Sequence, residues 1–135
     1  MVNVKKRISV QSLFALKEAL ASIFWAKRDL RQFIELTIEN DTIVSTVDWN
    51  GNTKFESVSQ IIDRMAKRQD IYQNDLLELI QEASSFTNFD HLKKWDDYEI
   101  KVKKAKESVE RLRNFALKIK RLRWVTAQPQ IFQLN

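Results

Sequence analysis

From Trp95 to Leu122, apolar or small residues return at alternating steps of three and four: Trp95, Tyr98, Val102, Ala105, Val109, Leu112, Ala116 and Ile119. A seam held for about four heptads dictates an amphipathic helix that lays one edge against another protein surface. Between the seam positions stand Lys101, Lys103, Lys104, Lys106, Arg111, Arg113, Lys118, Lys120, Arg121 and Arg123. One edge is built to pack and the other is cationic. Unbroken, such a helix would be about 45 Å long at a rise of 1.5 Å per residue.

The rest of the chain is constrained by what it lacks. One Gly and one Pro in 135 residues exclude the turn-rich grammar of strand folds and predict helices joined by short polar loops. The fold class expected is all-α, a bundle of five to six helices with a long basic C-terminal helix. Residues 1–93 read as the bundle, 94–123 as the basic helix packed on it or extending from it, and 124–135 as a tail holding the one proline, Pro129.

Local signals set the elements. Ser9 is an N-cap for a first helix whose apolar set, Val10 to Phe24, keeps helical spacing as far as Trp25. The stripe breaks phase near Lys27 and resumes at Leu30, Phe33, Ile34 and Ile38, a second helix with Asp29 near its start. Residues 39–53 are the least regular. Ile43, Val44, Val47 and Trp49 fit a short helix capped by Asp41, while the β-branched run and Asn50-Gly51 fit a hairpin strand. No partner strand follows, so the helix is preferred. Thr53 with Glu56 has capping-box spacing, and Asp70 with Gln73 repeats it more weakly ahead of a fifth helix. Asn88 or Asp90 is positioned to cap the basic helix.

Charge is distributed unevenly. Residues 1–98 carry 13 Lys/Arg against 15 Asp/Glu, whereas residues 99–123 carry 10 against three. The contact residues expected on the cationic edge are therefore Lys101, Lys104, Arg111, Arg113, Lys118, Arg121, Arg123 and Trp124, facing a protein partner or, as the alternative, nucleic acid. A third reading, interfacial membrane binding through Phe115, Leu122 and Trp124, is weaker. No segment approaches a membrane span, the start MVNVKKRISV lacks the apolar run of a signal peptide, and zero cysteines fit a reducing compartment. The expected location is cytoplasmic.

Catalytic chemistry finds no support. His91 is the one histidine and has neither a cysteine nor a clear serine partner, so no metal, cofactor or catalytic residue is assigned. Asp75, Glu78 and Glu82 read as a solvated acidic face. Trp25, Trp49 and Trp95 adjoin apolar stripes and read as core. A parallel homodimer along the seam is disfavoured, because it sets Lys101 against Lys106 and Phe115 against Lys120. Docking on the preceding helices, where Glu78 and Glu82 offer negative charge, is preferred, beside an antiparallel or heterotypic partner.

The order LFALKEAL at Leu13 to Leu20, Phe24-Trp25, Asp29-Leu30 with Phe33, Asp48-Trp49, Asp75 to Ile80 and NFDHL at Asn88 to Leu92 resembles the death-like, effector-associated adaptor domains of bacterial conflict and antiphage systems. Across residues 10–92 the resemblance implies a helical bundle that recruits an effector through homotypic contacts, usually at the N-terminus of a larger protein. This chain departs in its long Asn50-Gly51 loop, its basic final helix and its lack of an effector domain.

Overall fold

The computed structural model describes residues 7–119, and among them every regular element is helical. Five α-helices, α1 (Val10–Ile23), α2 (Lys27–Thr37), α3 (Lys54–Lys67), α4 (Gln69–Ser84) and α5 (Tyr98–Ala116), are supplemented by 3-10 helices at Asp41–Thr46 and Asp90–Leu92. No helix among the described residues is long and apolar enough to cross a membrane.

Burial decides which helices are central. Seven of the 14 residues of α1 and ten of the 16 of α4 are buried, whereas α2 buries only Leu30 and Ile34. The first pair forms the middle of the bundle, and α2 covers one side. Leu16, Leu20, Ile23, Ile61, Ile62, Met65, Leu76, Leu79 and Ile80 fill the interior with no exposed surface to speak of. Side chains of this size contribute roughly 1.5–3 kcal/mol each when removed from water.

The two strongest caps form as the residue pattern predicts. Ser9 Oγ accepts the Ser12 N–H at 3.1 Å, and Thr53 and Glu56 close a reciprocal capping box at 3.1 and 2.8 Å. Within the irregular 39–53 segment only Asp41–Thr46 is helical, a 3-10 helix in which Asp41 is the first residue and not the cap, and Val47 and Trp49, expected in the helix, lie past its end. Trp49 locks this segment by burying its ring and donating Nε1–H to the Val44 carbonyl at 2.9 Å. Lys27 Nζ then ties the Trp49 and Asn52 carbonyls together. Gly51 has no positive φ; a Cβ there would meet the Asp48 carboxylate at 2.2 Å and displace the side chain that accepts the Gly51 N–H.

Three expectations are corrected. Asp75 is not on a solvated face: it is 5% exposed and accepts from Glu39 N, Asn40 N and Asn40 Nδ2 at 2.8–3.3 Å, pinning the end of α2 to α4. The weaker Asp70/Gln73 pattern does not cap α4, which starts directly after Arg68 with no side-chain cap. The basic helix begins at Tyr98, not at residue 94. Asn88 Oδ1 is used inside the preceding turn, where it accepts the Asp90 N–H at 2.8 Å. The chain then breaks at Asp97, which has φ 53° and ψ 38°, a left-handed conformation that Asp tolerates better than most residues.

The seam nevertheless points inward over most of its length. Ala105, Val109, Leu112 and Ala116 are buried, Val102 and Ile119 pack against the core, and Tyr98 stays 41% exposed. This edge lies along α1 and α4. Ser22 and Ser108 hydroxyls meet at 3.2 Å, close enough for small residues alone. The helix ends at Ala116, with Leu117 as its C-cap, and not at residue 123 as expected, so the long basic helix is shortened at both ends and its net charge is +3, from six Lys/Arg against three Glu; residues 120–123 lie outside the described residues. Lys5, Lys6, Lys120, Arg121 and Arg123, all outside the described residues, account for the chain's whole net charge of +5.

Candidate contact surface

The ends of α1, α3 and α5 meet at one corner, and local backbone explains what they bring there. After Ile23 the chain turns extended, with Phe24 at φ −113° and ψ 117°. Neighbours on an extended segment point to opposite sides. Phe24 accordingly turns inward against Phe33 (4.8 Å between ring centres) and Phe86 (5.8 Å), and Trp25 is left outside at 49% exposure. The expectation that Trp25 belongs to the core is thus corrected, while Trp49 is buried and Trp95 partly so.

Trp25 is surrounded by cations. Lys54, the first residue of α3 after its Thr53 cap, sets Nζ 4.7 Å from the ring centre, and Lys101 on the first turn of α5 sets its own at 4.1 Å. Each cation–ring contact of this kind contributes on the order of 0.5–1 kcal/mol at an exposed site. Lys54 Nζ also donates to the Phe24 and Trp25 carbonyls at 2.8 and 3.2 Å, and Lys101 Nζ donates to the Asp96 carbonyl. Burial, with Lys104 and Lys101 adding repulsion, lowers the Lys54 ammonium from its ordinary 10.5 to about 8. Among the described residues none of these three lysines forms an ion pair.

The sign of that shift makes a prediction. Between about pH 8 and 10.5 the unfolded chain binds more protons at Lys54 than the folded one, so stability rises with pH across that window and falls as pH drops through 8. Since the group still partly faces water, the gain should be ~1 kcal/mol. Urea unfolding at pH 7.5 and 10 should show it for the wild type and not for Lys54→Met; parallel changes in both proteins would refute it.

The other expected contact residues separate. Arg111 pairs with Glu18 of α1 at 2.9 Å, so the acid that meets α5 is Glu18, not Glu78 or Glu82, both of which are exposed on α4. Arg113 lies on the opposite edge and donates to the Ser84 and Phe86 carbonyls at 3.1 Å, closing the end of α4. Lys118 sits 5.8 Å from the Phe115 ring centre. Arg121, Arg123 and Trp124, with Leu122 of the membrane reading, lie outside the described residues. Lys101 and Lys104 are therefore brought together with two residues the sequence reading did not select, Trp25 and Lys54. The available signals were slight: Trp25 falls just past a stripe ending at Ile23, and Lys54 follows a helix cap, where side chains usually point out.

A shallow groove of about 390 Å³ on the far edge of α5 mixes Lys93, Lys103 and Lys106 with Glu99 and Glu107. Lys93 is also paired with Asp90 at 3.1 Å. His91 belongs to the 3-10 helix Asp90–Leu92, not to the first turn of α5. There its Nε2 lies 2.6 Å from the Ile23 carbonyl, and its ring contacts Phe24, Phe86 and Phe89. That is a structural role. No group of three or more acidic or His side chains suited to a metal occurs among the described residues. Comparison with protein-family models, curated proteins and solved structures gives no match.

Proposed function

We propose that this chain is a non-enzymatic helical adaptor that recruits a protein partner with an acidic surface, through the corner formed by Trp25, Lys54, Lys101 and Lys104. One observation carries the reading. The ammonium groups of Lys54 and Lys101 lie over a half-exposed tryptophan, Lys104 adds its positive charge to the surroundings of Lys54, and none of the three is ion-paired among the described residues. Tryptophan is among the residues that most often dominate binding energy at interfaces, and uncompensated charge around it favours a complementary surface. Of the residues behind the death-like resemblance, Leu13, Leu16, Leu20, Leu30 and Leu76 are buried and specify the bundle, whereas Trp25 is half-exposed and belongs to the proposed contact.

The nucleic-acid alternative has less support. Residues 7–119 hold 18 cations and 18 acids, Arg111 is paired, and Arg113 is turned to backbone carbonyls. The ammonium groups of Lys54 and Lys101 already lie over Trp25, so a stacking base would compete with them for the ring face.

The test is retention of cellular partners on immobilised protein, with and without nuclease. The wild type should hold a defined set of proteins despite nuclease. The Lys101→Glu/Lys104→Glu variant should retain at least ten times less of that set. Equal retention by both proteins would refute the corner as the contact, and loss on nuclease treatment would favour nucleic acid.

A further inference from the structure

Lysines of this bundle are held in two ways: Lys17 by the Asp63 carboxylate at 2.7 Å, which neutralises it, and Lys27 by the Trp49 and Asn52 carbonyls, which do not. The corner at Trp25 applies the second way to two lysines beside one exposed ring. Lys54 is held by the Phe24 and Trp25 carbonyls and Lys101 by the Asp96 carbonyl. Neutral acceptors fix the position of a charge without cancelling it. Lys54 Nζ donates to two carbonyls and also lies over the Trp25 ring, none of which cancels its charge.

We propose that Lys54, Lys101 and Lys104, beside Trp25, form a receptor for one phosphate monoester dianion borne by a serine or threonine of the protein partner. This deepens the proposed function, since it takes the same corner as its site. The charge count favours a dianion: a carboxylate answers one ammonium of three, whereas a phosphoryl group carries about −1.5 to −2 and three acceptor oxygens. Ammonium groups are compact point charges without a fixed planar fork, so they suit a tetrahedral ligand at least as well as a planar one. Partial burial of Lys54 strengthens the attraction, and its mutual repulsion with Lys101 and Lys104 is relieved by the incoming charge.

A nucleic-acid strand fits less well, because its phosphodiesters are monoanions repeated along a line. Two turns along α5 from Lys104 the cationic edge is closed by the Arg111–Glu18 pair, so the corner takes one group and not a track of them. The exposed part of Trp25 gives an apolar wall for a residue next to the phosphorylated one. Recruitment would then depend on a kinase and be reversed by a phosphatase.

Nuclear magnetic resonance titrations of the full chain at constant ionic strength test this, with three probes: a short capped peptide holding phosphoserine next to leucine, the same peptide with glutamate at that position, and inorganic phosphate. The phosphopeptide should shift the Trp25 indole and the Lys54, Lys101 and Lys104 ammonium signals to saturation. It should bind at least tenfold more tightly than either other probe. Lys101→Gln/Lys104→Gln, with the fold checked by an unchanged amide spectrum away from the corner, should weaken it at least tenfold, and Trp25→Phe should weaken it less. Equal binding of the glutamate peptide would overturn the phosphate assignment while leaving an acidic partner in place. Equal binding of inorganic phosphate would overturn the docking of a phosphorylated protein, and absence of shifts at Trp25 would overturn the site itself.

Discussion

A chain ending at Asp97 should unfold without a cooperative transition. Removing α5 takes Ala105, Ser108, Val109, Leu112 and Ala116 out of the interior and uncovers the faces of α1 and α4 against which they lie. Counting the residues on both sides at roughly 2 kcal/mol for each large apolar side chain, the loss is on the order of 5–10 kcal/mol. Domains of this size have total stabilities of about 5–15 kcal/mol. The shortened chain should retain some helical circular dichroism and melt gradually. The single substitution Leu112→Ala, at a fully buried position, should lower the unfolding free energy by ~3 kcal/mol in urea titration with an unchanged slope. A sharp melt of the shortened chain at the wild-type temperature would mean that the last helix is an appendage.

Replacing Asp75 by alanine should lower stability by ~3 kcal/mol, a large effect for a single polar residue. Its carboxylate accepts three hydrogen bonds from Glu39 and Asn40 at the end of α2, in a site only 5% exposed. Truncation leaves two backbone N–H groups without their acceptor, and hydrogen bonds to charged groups contribute about 1.5–3 kcal/mol. Asp75→Asn should recover about half the loss, because its amide oxygen can still accept from Glu39 N while its NH2 cannot accept from Asn40. Thermal denaturation of the pair checks this. Equal, small losses would show that α2 is held by apolar packing alone.

Much of this was legible in the sequence where the signal is local. The Ser9 cap and the Thr53/Glu56 box each link residues three apart, and the inward edge of α5 follows from spacing alone. Boundaries were harder. Trp95 keeps the phase of the seam, so periodicity extends the helix across the left-handed break at Asp97, which depends on one backbone conformation. Asp75 has the spacing of a solvated acidic face with Glu78 and Glu82, but its hydrogen-bond partners lie about 35 residues away in sequence. Trp25 was misread because adjacency to an apolar stripe implies core only while the backbone remains helical. Lys54 gave the least warning. Its character comes from Trp25, in the connection between α1 and α2, and from Lys101 and Lys104 on α5, which the fold brings to the start of α3.

The account depends on α5 lying along α1 so that Lys101 and Lys104 crowd Lys54 at Trp25, and the most direct measurement is the titration of the Lys54 ammonium by nuclear magnetic resonance. In the wild type it should titrate near pH 8, well below the ordinary 10.5, and in Lys101→Gln/Lys104→Gln it should move upward without reaching that value, since burial is the larger cause. A wild-type Lys54 titrating at its ordinary value, unchanged in the double variant, would contradict the arrangement.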